Sequence, residues 1–116
     1  MKEDIFLEIR NLIEKNEINK AQQELSKLHT KYKKDPNYLL LRSKIFYINK
    51  LYYLAIDTLF IALEFDKNDQ IYLLLSEIYK VLGNEDLSNK ILDKNTRHST
   101  VESIKGTMTG LYRKNK

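Results

Sequence analysis

Apolar residues recur along this chain at three- and four-residue spacing, the period of an α-helix with one buried face. The pattern also repeats at longer range. A small residue followed four positions later by Leu occurs at Ala21 with Leu25, at Ala55 with Leu59 and at Ser88 with Leu92, so the small residues stand 34 and then 33 positions apart. Upstream of each lies a second set in the same register: Ile5, Ile9 and Leu12; Leu39, Ser43 and Phe46; Tyr72, Ser76 and Tyr79. Each period holds two amphipathic segments, and the spacing predicts helices over about 2–16, 18–33, 36–49, 52–66, 69–82 and 85–95. A small residue at 21, 55 and 88 lets two paired helices approach closely while their apolar faces meet.

The stretch "LYYLAIDTLFIAL", Leu51 to Leu63, is apolar almost all round. It contains Asp57 and falls short of the roughly 18 apolar residues that a membrane span needs, so it reads as a helix with neighbours on several sides. Tyr53 and Phe60 are not required by the repeat and are expected on the outer, convex face as a candidate interface.

These segments resemble the tetratricopeptide repeats, whose unit is two antiparallel helices in about 34 residues. The middle repeat carries the likeness best, with Leu39, Ser43, Phe46, Tyr52, Ala55, Leu59, Ala62, Leu63 and Asp66 in place, and Lys67 where proline is usual. The third supplies Tyr72, Leu75, Ser76, Tyr79 and Gly83 at the turn, then departs at Ser88, Asn89 and Asn95. The first keeps Ile18, Ala21, Leu25 and Leu28, has Glu8 at a normally apolar position, and places Pro36 late. The resemblance covers residues 2–95. It implies an all-α chain: an α-solenoid of three antiparallel helix-turn-helix repeats at about 2–34, 35–68 and 69–95, with residues 96–116 as a basic C-terminal capping helix or tail. Arg42 occupies the position equivalent to Glu8 one repeat on, which raises the expectation of an ion pair between adjacent repeats.

For the last segment, Thr100 with Ser103, or Ser99 with Glu102 as a capping box, would start a seventh helix with a stripe of Val101, Ile104, Met108, Leu111 and Tyr112. Gly106 and Gly110 weaken it by about 1 kcal/mol each against alanine, so it is expected to order only against the last repeat or a partner.

Composition narrows the chemistry. One Pro and three Gly in 116 residues, 42% of them hydrophobic and 31% charged, fit a single helical domain. The absence of cysteine excludes disulfides, thiolate metal sites and a cysteine nucleophile. His29 and His98 lack the carboxylate or cysteine spacing of a metal site or a nucleophile relay, and "GTMTG" has no preceding strand to make it a phosphate loop. No catalytic residue, metal or cofactor is assigned, and the chain is expected not to be an enzyme. "MKEDIFLEIRNLIEKNE" carries acids early and has no apolar core of export-signal length, so a cytoplasmic protein without membrane contact is expected. The net charge of +4 is concentrated at one end: residues 90–116 hold seven bases and two acids, and residues 1–89 hold 13 bases and 14 acids. A Lys-, Asn-, Ile- and Tyr-rich composition also suggests an AT-rich genome, so part of the basic character reflects codon usage.

In tetratricopeptide repeats the first helix of each repeat lines a concave groove. Carried over by position, the resemblance implies Phe6, Arg10 and Ile13 from the first repeat, Asn37, Leu40, Lys44 and Tyr47 from the second, and Gln70, Leu73, Glu77 and Lys80 from the third. Such a groove pairs an apolar strip with the bases Arg10, Lys44 and Lys80, suited to an amphipathic helix or extended peptide with acids beside its apolar residues. The same Phe6, Leu40 and Leu73 are also candidates for the core. The carboxylate clamp of some chaperone-binding members is not implied, because Phe6, Arg10 and Leu40 stand where it needs Lys or Asn. The expected function is a non-enzymatic adaptor or chaperone binding a protein or peptide. Three repeats plus a final helix also resemble the small chaperones of bacterial type III secretion. The alternative is a structural subunit anchored to RNA or an acidic protein by Arg97, Lys105, Arg113, Lys114 and Lys116. Self-association through an open end of the stack is a third reading.

Overall fold

Three tight turns set the architecture, and they fall at one register. Asn16, Lys50 and Gly83 all take a left-handed backbone, with φ of 62°, 62° and 86°. Each ends a helix with the same pair of backbone bonds: Asn16 N to Ile13 O and Glu17 N to Leu12 O, Lys50 N to Tyr47 O and Leu51 N to Phe46 O, Gly83 N to Lys80 O and Asn84 N to Tyr79 O, all 2.8–3.0 Å. This is the Schellman arrangement, which satisfies the last carbonyls of one helix and reverses the chain into the next.

The computed structural model describes residues 4–114, with side chains described through Thr107, and among these every regular element is an α-helix. The helices are α1 (Leu7–Glu14), α2 (Ile18–Lys27), α3 (His29–Tyr32), α4 (Pro36–Ile48), α5 (Tyr52–Phe65), α6 (Asp69–Val81), α7 (Glu85–Leu92) and α8 (Arg97–Lys114). The chain divides into two compact units, residues 1–67 and 68–116.

In the first unit α1 pairs with α2 and α4 with α5, and α4 also packs on α1 and α2. Capping residues fix the starts. Asp35 accepts from the Asn37 amide at 2.8 Å with Pro36 at the first helical position, so α4 begins where proline is tolerated. Asp4 accepts from the Phe6 amide at 3.0 Å, which starts the chain's entry to α1 at Leu7, later than the spacing predicts. The second predicted helix is divided at Leu28, whose amide bonds to Leu25 O at 3.0 Å and tightens the last turn of α2 before α3. Ile9, Ala21, Leu25, Tyr38, Leu39, Leu41, Ser43, Ile45, Ala55, Ile56 and Leu59 are buried, so the small residues at 21, 43 and 55 do face helix contacts.

In the second unit α6 pairs with α7, and α8 packs on α7. Asn68 caps α6 by accepting from the amides of Gln70 and Ile71, and Asn84 caps α7 by accepting from Leu87. The core holds Ile71, Tyr72, Leu75, Ile78, Ile91 and Val101. Ser76 and Ser88 meet in this core, their hydroxyls 2.7 Å apart, with Ser76 Oγ also donating to Ser88 O at 2.9 Å. Two polar residues thereby serve as the close-approach point of the hairpin without an unsatisfied hydroxyl. Helix α7 stops at Leu92, sooner than the predicted 95, and Leu92 itself is exposed where the repeat pattern calls for core.

Helix α8 begins at Arg97 rather than at Ser99 or Thr100, and neither expected cap forms: Ser99 Oγ donates to Thr96 O instead. Its first half orders against the unit itself, with Val101 buried and Ile104 half-buried. Met108, Leu111 and Tyr112, expected to continue that stripe, lie outside the residues whose side chains are described.

Candidate interaction surfaces

The residues expected to line a groove separate into three kinds. Phe6 and Leu40 are core. Phe6 packs edge-on against Tyr32, ring centroids 5.5 Å apart, and Leu40 is enclosed because α4 has neighbours on both sides. Arg10, Ile13, Lys44 and Tyr47 are half-buried. Arg10 is already ion-paired to Asp4, whose carboxyl it holds below the usual range by hydrogen bonding, and Tyr47 leans on the ring of Tyr52 at 5.9 Å. Asn37, Gln70, Leu73, Glu77 and Lys80 are exposed.

Three of the exposed residues come together in the second unit. Leu73, Glu77 and Lys80, spaced four and three apart on α6, line one side of a cleft of about 320 Å³. Glu85, Asn89 and Leu92 of α7 line the other, with the Ser76 and Ser88 pair also in the lining. Leu73 and Leu92 remain 54% and 45% exposed, so both walls offer apolar surface to solvent. The volume is at the low end for ligand pockets, and the lining mixes two leucines with two acids, one lysine and the polar Ser76, Ser88 and Asn89. The departure of the third repeat from its pattern was visible in Ser88, Asn89 and Asn95, but the outward turn of Leu92 had no signal of its own.

On α5 the two outer candidates behave oppositely. Tyr53 is 63% exposed, whereas Phe60 is buried, one turn from Ile56 on the inward side. The expectation for Phe60 is therefore corrected: the outward positions belong to Leu54, Ile61 and Phe65.

The expected Glu8–Arg42 pair does not form. Both residues are exposed, and the Arg42 guanidinium lies over the Phe46 ring, 5.0 Å from its centroid. His29 has a structural role that spacing did not reveal: its Nδ1 is 2.8 Å from the hydroxyl of the fully buried Tyr38, joining α3 to α4.

The basic segment is partly committed. Arg97 has a side chain only 13% exposed; it donates to Asp69 at 2.7 Å and to Leu92 O at 3.1 Å, and stacks over Tyr72 at 4.5 Å. Burial pushes the Tyr72 phenol up, and the Arg97 charge opposes that rise. Lys105 is half-buried and pairs with Glu102 at 4.0 Å. Arg97 thus works as a pin between α8, α6 and α7 rather than as a base displayed for RNA. Arg113, Lys114 and Lys116 lie outside the described side chains.

No known protein family, curated protein or solved structure matches the chain. Among the described residues no helix is long and apolar enough to cross a membrane, and no three His, Asp or Glu side chains gather at metal-binding distance.

Proposed function

We propose that this is a helical-repeat protein of tetratricopeptide type that works without catalysis, as an adaptor or chaperone, by binding a peptide or amphipathic helix of another protein. The observation that carries the reading is the α6/α7 cleft, in which Leu73, Glu77 and Lys80 meet Leu92. One exposed leucine on each wall supplies apolar contact, and Glu77, Lys80 and Glu85 select a partner with complementary charges. The left-handed turns at 16, 50 and 83, spaced by the same 34 and 33 residues as the sequence repeat, support the repeat assignment.

The test is a pulldown with mass spectrometry on the wild-type chain and on Leu73→Glu/Leu92→Glu. Both substitutions fall on exposed positions, so helical content by circular dichroism should be retained. Loss of the co-purifying proteins supports the reading, and retention of the same proteins by the folded double variant overturns it. Leu40→Glu is unsuitable for this purpose, because it places a charge in the core.

A further inference from the structure

Helix α5 carries a second surface that the cleft leaves unused. Its buried residues, from Ala55 through Leu63, occupy one side. At about 100° per residue, Tyr53, Leu54, Asp57, Ile61, Glu64 and Phe65 fall within one arc of roughly 120° on the other. Leu54, Ile61 and Phe65 are 49%, 46% and 47% exposed, beside the still more exposed Tyr53. A single exposed apolar residue is ordinary; four in one arc of one helix make a contiguous patch of the kind that marks an interface.

The charge on this helix says what fits. Although the chain has 20 bases and is net positive, α5 has none; its only charged residues are Asp57 and Glu64. Asp57 stands in the middle of the patch, with Tyr53 and Leu54 one turn before it and Ile61 one turn after. It is half-buried, has no hydrogen bond or ion pair among the described residues, and its carboxyl is pushed up by burial. A purely apolar partner would bury that carboxylate unpaired, at a cost of several kcal/mol. A second copy of the chain meeting this face across a two-fold axis would bring only more carboxylates, since α5 has no base to offer. We propose that the outer face of α5 docks an amphipathic helix of a partner protein, whose apolar stripe covers Leu54, Ile61 and Phe65 and whose Lys or Arg pairs with Asp57.

The probe is a pair of fluorescent synthetic helices with the same leucine stripe, one flanked by lysines and one by glutamates, titrated with the full chain at low and high salt. The lysine peptide should bind, more weakly as salt rises, and the glutamate peptide should not. Ile61→Ser/Phe65→Ser should weaken the lysine peptide about tenfold or more, and Asp57→Lys should transfer the preference to the glutamate peptide. Leu73→Ser/Leu92→Ser, in the α6/α7 cleft, should leave this binding unchanged, which separates the two surfaces. Equal binding of both peptides, or indifference to the α5 substitutions in variants with native circular dichroism, overturns the proposal. So does wild-type self-association by light scattering that Ile61→Ser abolishes, because the occupant is then a second copy.

Discussion

A carboxylate in the middle of an apolar patch costs stability whenever it is charged and alone, and Asp57 is in that position. Folding raises its pKa above the unfolded value, so the ionised form is disfavoured in the folded chain; the penalty holds at neutral pH and is relieved as pH falls through the folded value. Asp57→Asn is therefore expected to raise the melting temperature at pH 7, with the gap to wild type narrowing as pH is lowered into the carboxylate range. Thermal unfolding of both proteins across pH checks this, and a variant no more stable than wild type at pH 7 would contradict it. The same residue scale shows where the sequence stops being informative. Spacing identifies Leu40, Phe60 and Leu92 as apolar helix positions, but whether each faces core or solvent depends on which side of its helix the neighbours lie. Helix α4, packed by α5 and by α1 and α2, buries Leu40; α7, packed by α6 and α8, still leaves Leu92 outside.

At the scale of elements, the starts at 18, 36, 52, 69 and 85 follow the predicted spacing, and Asp35 with Pro36, Asn68 and Asn84 supply side-chain caps at three of them. Helix α8 was less readable. A local turn at Asp93, whose Oδ1 accepts from the Asn95 amide, leads into it, and Arg97, its first residue, reaches back 28 residues to Asp69, a contact no local pattern encodes. Gly106 adds nothing to packing, since a Cβ there would meet no atom within 4 Å, so α8 depends on its first two turns. Arg97→Ala removes a charge-assisted bond, a carbonyl bond and a stacked guanidinium together, and is expected to cost about 1–3 kcal/mol. Hydrogen exchange should show the α8 amides around Val101 losing protection in this variant, with those of α1 and α2 unchanged. Equal protection in α8 would mean that Val101 and Ile104 hold it without the pin. Arg97→Lys should restore only part of the protection, because an ammonium cannot serve Asp69, Leu92 O and the Tyr72 face at once.

Over the whole molecule the three turns give an internal comparison. One backbone conformation is filled by Asn16, Lys50 and Gly83, three residues of very different tolerance for positive φ. Lys50→Gly should stabilise the chain by about 0.5–1 kcal/mol, Asn16→Gly by less, and Gly83→Ala should destabilise by about 1 kcal/mol. The last cost is purely conformational, because an added Cβ at Gly83 has open space. Denaturant unfolding of the three variants tests the order, and a destabilised Lys50→Gly would show that the turn is not strained. Helical content and the 34- and 33-residue period were legible in the chain because they repeat; the shared turn geometry is signalled by Gly83 and more weakly by Asn16, whereas Lys50 carries no hint of a left-handed backbone. Those turns also divide the chain into places that tolerate change in length and places that do not. The links from α1 to α2, from α4 to α5 and from α6 to α7 are three residues each and closed by the same pair of backbone bonds; the link 66–68 is as short but has no such pair, and the stretch 28–35, which holds α3, and the link 93–96 are longer. Insertions and deletions among descendants of this sequence should therefore collect in the longer links, and a loop, tag or fluorescent reporter grafted at 33–34 should be accepted where the same graft at 49–51 would not.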